Sequence, residues 1–323
     1  MRASLPARFE KVLIFGPGAW GSALGGVLKA NGHPVQFWGL ENKVEDLSKC
    51  LDSKTLVLLA TPFKEIHHIL GLLKGRKIAG LINASKGIDR ETLKTFTPLA
   101  KKYLRCPLAS LSGPTFAEEV QQQKPSACVL AGENRGFINA GAVYFSTDFF
   151  RVYTSTDPLG VETCGALKNV MAIACGLSDG LGLGMNARAA LLTRGLNEIS
   201  MLVKSMGGKH STVSGLAGVG DLWLTATGDL SRNRQLGLQL ATGKSLEQIL
   251  AGLSGPAEGF YTVMQVRALA KKFRLEIPIC EQVYKICLGE QDPRNAIRDL
   301  MTRALKPEDS SSRKRLQKAS SKR

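Results

Sequence analysis

The sequence predicts an α/β chain, with a doubly wound parallel sheet in the N-terminal half and an all-helical C-terminal domain after it. Three observations carry that reading. Short apolar runs of strand length alternate with helix-length segments through the first half. From Pro158 to Leu305 the periodicity is helical, broken by Gly and Pro, with no convincing strand. A glycine-rich turn, Gly16-Pro17-Gly18-Ala19-Trp20-Gly21, follows the first apolar run and opens the first helix.

In order, the expected strands are 11–15, 35–38, 56–60, 77–83, 108–112, 127–130 and 150–153. Helices are expected at 20–31, 64–73, 91–104 and 115–123 between them. Pro158 suits the first turn of a helix, so 159–177 follows, then 188–206, 233–242, 245–253, 259–273, 278–288 and 293–305. With 323 residues the chain has room for two domains. The expected division is a dinucleotide-binding domain at 1–160, a helical substrate and catalytic domain at 161–305, and a basic tail at 306–323.

Composition narrows the class. Apolar residues make up 44% and charged residues 22%, which is ordinary globular chemistry. Net charge is +16, of which the last eighteen residues contribute seven basic and two acidic side chains. That Ser/Lys/Arg-rich end is too polar to form a core and is expected to be disordered. The remaining excess favours anionic partners such as phosphorylated metabolites. Nucleic acid is not expected, because aromatics total 6% and no helix-turn-helix, zinc-finger or aromatic-basic RNA-binding pattern occurs. The seven cysteines show no CxxC and no metal-ligand pairing with the four histidines, so reduced, buried thiols and a cytoplasmic location are expected. Pro6, Arg8, Glu10 and Lys11 interrupt any signal-peptide core. The apolar stretch 12–28 contains five glycines and reads as strand, turn and helix, not as a membrane span.

Each glycine of the turn has a separate task. Gly16 permits the tight turn, Gly18 lets backbone approach a pyrophosphate, and Gly21 allows close packing of helix on strand. Ala19 and Trp20 open the helix whose N-terminus would face the phosphates. This strand–turn–helix context makes the N-terminal domain Rossmann-type. Glu41, twenty residues after Gly21, is either the acid that binds the adenosine ribose hydroxyls or a solvated loop acid.

In the second half, Cys164, Lys168, Met171, Ala172 and Cys175 share one helix face, and Lys168 is the only charge on it. Such a lysine either snorkels to water or sits in a pocket where desolvation lowers its pKa and suits it to proton exchange. Residues 215–221 form a glycine-dense loop ending in Asp221, which is either a helix cap or a site acid. Ser231 is a candidate N-cap, but Arg232 and Arg234 in the same first turn oppose the helix dipole. They are either an exposed pair or the grip for a bound phosphate.

These motifs, in this order, resemble the bacterial type of NAD(P)-dependent glycerol-3-phosphate dehydrogenase, over residues 11–305. The matching segments are GPGAWG (16–21), ASKGID (84–89), SGPTFAEE (112–119), the long block at 165–196, GLAGVGDLWLT (215–225), SRNR (231–234) and AEGF (257–260). The resemblance implies reversible hydride transfer between NAD(P)H and dihydroxyacetone phosphate, giving sn-glycerol 3-phosphate for glycerophospholipid synthesis. It implies Lys168 as the acid/base, with Lys86 as a second cation near substrate and cofactor. Asp221 and Thr225 would orient the lysine and substrate hydroxyls. Gly113, Thr115, Ser231, Arg232 and Asn233 would line the substrate, the last two gripping its phosphate. On the cofactor side it implies Gly16, Gly18, Ala19, Trp20, Gly21, Lys86, Ala117, Arg232 and Glu258, with Glu41 added from spacing. No metal is called for, because the ammonium polarises the carbonyl. Relatives are usually dimers, so a homodimer is expected.

Three departures stand out. Only residues 39–55 separate the second and third strands, where the family has a much longer segment, and this opens the adenosine side. Leu40 stands where many relatives carry Arg or His, which with Glu41 tilts the choice toward NAD. Pro256 precedes Ala257 where relatives prefer a β-branched residue. A different nicotinamide dehydrogenase, acting on a hydroxy acid, is the competing enzymatic reading, and the phosphate grip argues against it. The tail is either solvated or in contact with anionic lipid, without stable membrane insertion.

Overall fold

A computed structural model describes residues 9–39, 41–252, 255, 257–305 and 307–308. Leu40, Pro256 and the tail from 309 onward lie outside the described residues. Seven strands form one sheet: β1 (Lys11–Phe15), β2 (Val35–Trp38), β3 (Thr55–Leu59), β4 (Gly80–Asn83), β5 (Leu108–Ser112), β6 (Ser126–Gly132) and β7 (Phe150–Ser155). Their spatial order is β2-β1-β3-β4-β5-β6-β7. Every neighbouring pair is parallel except β5 and β6, which run antiparallel with Leu111 opposite Leu130. The connection between those two holds only a five-residue helix, Ala117–Gln121, too short to carry the chain back across the sheet as a parallel crossover requires.

Burial follows from position in the sheet. β3, β4 and β5 are buried at every residue, as expected of strands covered on both faces. Edge strand β2 and edge strand β7 are only partly buried. Alternation along β1 sends Val12 and Ile14 to one face, against Leu24, Leu28 and Phe137. Leu13 and Phe15 point to the other, against Phe63, Ile66, Leu70 and Phe96. The sheet is thus wound on both sides.

Several helices differ from expectation, two of them in the sheet half for reasons local to the chain. Residues 91–104 yield only Phe96–Ala100, because Asp89 captures the Thr92 amide at 2.8 Å and Leu93 takes a left-handed φ of 55°. Conversely, Arg135–Phe145 is a helix that the sequence reading did not assign; Asn134 caps it by accepting from the Phe137 amide at 2.9 Å. Among the described residues of the segment 39–54 there are only a short turn and the helix Leu47–Cys50, with no added strand, which leaves β2 at the sheet edge.

From Pro158 onward the described chain is helical. The helix Pro158–Gly180 starts on Asp157, whose side chain accepts from the Gly160 amide, and it is buried along nearly its whole length. Packed around it are Gly184–Ser205, Asp221–Thr227, Arg232–Leu240, Glu258–Phe273 and Pro278–Cys287. The stretch read as a loop, 215–220, winds as a wide π-helical turn that runs directly into Asp221–Thr227. Among the described residues no helix is long and apolar enough to cross a membrane.

Candidate active site

The glycine turn lies at the carboxyl ends of β1 and β3, where the strand order reverses and open α/β sheets bind ligands. Gly16 has φ of 97°, and a Cβ there would stand 2.8 Å from the Ala60 carbonyl oxygen. A Cβ on Gly21 would collide with the Gly16 carbonyl, so the first helix can sit this close only on glycine. Gly18 has open space where its Cβ would point. The helix Ala19–Ala30 begins there without a side-chain cap, leaving its first amides available to an anion. A pyrophosphate fits this cradle on each count. Trp20 packs partly against the core behind it, Ala117 opens the neighbouring short helix, and Gln121 of that helix donates to the Ala19 carbonyl at 3.2 Å. Beyond β2, the Glu41 carboxylate is exposed and folds back over Gly39.

Lys168 does not snorkel. It is 8% exposed in the middle of Pro158–Gly180, and its ammonium donates to Asp221 Oδ1 and to Thr225 Oγ1, the latter at 2.7 Å. Thr225 Oγ1 in turn donates to the Asp221 backbone carbonyl at 2.6 Å. Asp221 is 1% exposed. It faces the two lysines and does not cap its helix, whose first turn it occupies directly after the π-helical turn. Its other oxygen, Oδ2, accepts from Lys86, which arrives from the loop after β4. The Ser112 hydroxyl stands 3.4 Å from the same Oδ2. Two ammoniums thus share one carboxylate at the join of sheet and helices.

The electrostatics follow from that count. Burial pushes the Lys168 pKa down to about 7, and the Lys86 charge adds to the fall while Asp221 opposes it. Burial alone would raise the Asp221 carboxyl, but the Lys168 and Lys86 cations override it and hold it below its ordinary value. Glu258 begins the helix Glu258–Phe273, and its Oε1 accepts from the Phe63 amide at 3.3 Å, bridging the helical part to the loop after β3. Burial raises its pKa, with that amide and the Arg232, Lys86 and Lys168 charges pulling the other way.

The SRNR motif divides. Ser231 is the N-cap, accepting from the Arg234 amide at 3.2 Å. Asn233 is buried and its Oδ1 accepts from the Gly259 amide at 2.9 Å, which leaves its NH2 group for a ligand. Arg232 is exposed and lies against Gly255, whose φ of 136° and lack of a side chain leave the guanidinium room. Arg234 is not part of an anion grip. It is buried and bound to Asp179 and Asp229. Gly113 has φ of 153° and would bring a Cβ within 2.8 Å of Cys128 Cα. Thr115 donates to the Gly113 carbonyl at 3.3 Å, so these two shape the turn after β5 beside Ser112.

Ser112 carries a contact that the sequence reading did not assign. The available signal was the pair Ser110 and Ser112, two hydroxyls on one face of an otherwise buried strand. Among the described residues no group of three or more His, Cys, Asp or Glu side chains could hold a metal ion.

Comparison with known proteins is consistent along the chain. The family described as NAD-dependent glycerol-3-phosphate dehydrogenase matches through its N-terminal part at residues 11–44 and 42–138, and through its C-terminal part at 157–298. A protein of Trichlorobacter lovleyi named glycerol-3-phosphate dehydrogenase (NAD(P)+) is 42% identical, over 92% of this chain and 99% of its own. One of Syntrophotalea carbinolica with the same name is 40% identical, over 91% of this chain and 98% of its own. The crystal structure of glycerol-3-phosphate dehydrogenase from Coxiella burnetii superposes with a TM-score of 0.83 at 34% identity, covering 92% of this chain and all of that one.

Proposed function

The chain belongs to the NAD-dependent glycerol-3-phosphate dehydrogenase family, and from that premise we propose how its own residues interconvert dihydroxyacetone phosphate and sn-glycerol 3-phosphate. A bound reduced nicotinamide dinucleotide supplies the hydride. Gly16, Gly18 and Gly21 hold its pyrophosphate against the first amides of Ala19–Ala30, and Ala117, Glu258 and Lys86 border its path toward the substrate. Arg232 and the Asn233 amide hold the substrate phosphate. Gly113 and Thr115 close the site from the sheet side.

Two of the three Lys168 ammonium protons are committed to Asp221 and Thr225, which leaves the third for the substrate carbonyl oxygen. As hydride reaches C2, the carbonyl electron pair moves onto that oxygen and Lys168 Nζ gives it a proton. Lys86 adds positive charge beside the developing alkoxide. The observation that carries this reading is Lys168 itself, a buried ammonium held between Asp221 and Thr225, with Glu258 close enough to feel its charge together with those of Arg232 and Lys86. Asp221 holds the ammonium in place and keeps enough charge on it to donate.

NAD is preferred over NADP, supported by the Glu41 carboxylate at the end of β2, where it meets ribose hydroxyls and repels a 2′-phosphate. The division into a dinucleotide-binding part at 1–160 and a substrate part at 161–305 is supported by the change from strands to helices after β7, with the helix Pro158–Gly180 running across the boundary itself. The protein works as a cytoplasmic homodimer and supplies the glycerol phosphate of glycerophospholipids. The deciding experiment measures oxidation of NADH and of NADPH with dihydroxyacetone phosphate, with dihydroxyacetone and with a hydroxy-acid precursor. Turnover is expected with the phosphorylated ketone and NADH. Lys168→Ala should lower kcat by roughly a thousandfold, the scale of a lost general acid. Near-normal turnover in that variant overturns the mechanism.

A further inference from the structure

Arg234, the arginine of the SRNR motif that turns away from the site, points to a second device. Its Nε and Nη2 donate to Asp179 Oδ2 at 3.1 and 2.9 Å, and its Nη1 to Asp229 Oδ1 at 2.8 Å. The other Asp179 oxygen accepts from Arg188 Nε at 2.7 Å and Nη2 at 2.6 Å. One carboxylate, 8% exposed at its side chain, therefore ties the end of the Lys168 helix to the start of the Arg232 helix and to Gly184–Ser205. The first two helices also touch at backbone level. A Cβ on Gly176 would strike the Arg234 carbonyl oxygen, and one on Gly237 would strike that of Ile173.

Well-packed apolar side chains stabilise a helix crossing at least as well as a buried ion pair does, and without its desolvation cost. The attested use of a buried pair is registry, fixing one element against another. Here the two elements carry opposite ends of the proposed substrate site, Lys168 on one and Arg232 with Asn233 on the other.

We propose that the Arg188–Asp179–Arg234 cluster is a positioning device that sets the distance from the Lys168 ammonium to the phosphate grip. It thereby selects ketones whose carbonyl is adjacent to the phosphate-bearing carbon. This rests on the reading of Arg232 and Asn233 as the phosphate grip. None of the three cluster residues touches substrate. They act by holding the register of two helices whose glycines already bring the backbones together.

The test is steady-state kinetics of full-length Arg234→Lys and Asp179→Asn with NADH, on dihydroxyacetone phosphate and on unphosphorylated dihydroxyacetone, after circular dichroism confirms the helical content. Arg234→Lys keeps the charge and loses the fork; Asp179→Asn keeps the shape and serves if the first variant does not fold. The expected result is a fall of about ten- to a hundredfold in kcat/KM for the phosphorylated ketone, mostly in KM, with dihydroxyacetone within about twofold of wild type. Unchanged kinetics on the phosphorylated ketone, or an equal fall on both substrates, overturns the proposal while the phosphate grip stands. A wild-type enzyme that treats both ketones alike overturns the grip itself and this proposal with it.

Discussion

A lysine ammonium is expensive to bury, and Lys168 is tolerable where it is because Asp221 and Thr225 accept hydrogen bonds from two of its N–H groups. Its lowered pKa of about 7 sets the direction of the pH response. Reduction of the ketone needs the protonated amine, so its rate should fall as pH rises through that value; oxidation of the alcohol needs the free amine and should rise. Asp221 raises the Lys168 pKa, so Asp221→Asn should move the falling limb of the reduction profile roughly one unit lower and lower kcat at its plateau. Steady-state rates across pH check this, and an unmoved limb assigns the titration to another group. Lys168 was legible in the sequence as the lone charge on an apolar helix face. Asp221 was less so, because a glycine-rich stretch ending in an acid has the same spelling whether the acid caps a helix or enters a site. Arg234 was misjudged beside Arg232. Residues two apart on a helix point to nearly opposite sides, and the sequence names neither the buried side nor Asp179, which waits there.

At the level of elements, helix ends decide much of the helical half. The helix Pro278–Cys287 has no cap of its own; Glu198 supplies one from Gly184–Ser205, accepting from the Ile279 amide at 2.7 Å and the Cys280 amide at 3.1 Å. Burial pushes this carboxyl from an ordinary 4.5 up to about 7, even though both amides pull it down. A carboxyl whose folded pKa exceeds its unfolded value takes up a proton on folding between the two, so its contribution to stability declines as pH rises across that window. Glu198→Gln should remove this slope, on the order of 2 kcal/mol between pH 4.5 and 7, read from urea midpoints at both ends; a slope equal to wild type excludes Glu198 as its source. The Gly176 and Gly237 crossing has its own expectation. Gly237→Ala drives a methyl into the Ile173 carbonyl and should cost about 1–3 kcal/mol or more by overpacking, seen as a lower urea midpoint at unchanged slope. Local side-chain bonds override periodicity where Asp89 captures Thr92 and stops a helix short, whereas Arg135–Phe145 buries Phe137, Ile138, Ala142 and Phe145 at helical spacing behind its Asn134 cap and was legible but passed over. The strands were easier, because burial on both sheet faces leaves continuous apolar runs.

The molecule as a whole places its chemistry on a seam. Lys86 and Ser112 come from the sheet, Lys168, Asp221 and Thr225 from the helices, and Glu258 reaches back to the Phe63 amide. The sequence carried both sides of that seam, but not the seam itself, since no spacing rule relates residue 86 to residue 221. What fastens it below the site is Glu162, buried on Pro158–Gly180 one and a half turns before Lys168. Its carboxyl accepts from Ser110 Oγ at 2.6 Å and from the Thr97 amide at 3.0 and 3.2 Å, with the Thr97 hydroxyl beside them. Opening the seam would give up all of these buried hydrogen bonds together with the apolar contacts of Val129 and Ala131 with Val161 and Ala217, so sheet and helices should unfold together. Calorimetry of the free protein should show one transition, and NADH at about a hundred times its Kd should move that whole transition by about 2.7 kcal/mol. Glu162→Ala strands the Thr97 amide and two hydroxyls, at a cost of about 1–3 kcal/mol for a buried unsatisfied group. It should lower the midpoint by about 2–5 °C and open a shoulder as the helical half begins to melt alone. Dihydroxyacetone phosphate turnover should fall with it, because Lys168 rides on the helix that Glu162 anchors. Two resolved transitions in the wild-type protein, with NADH moving only one, would mean that the halves are held together by the ligand and not by the chain.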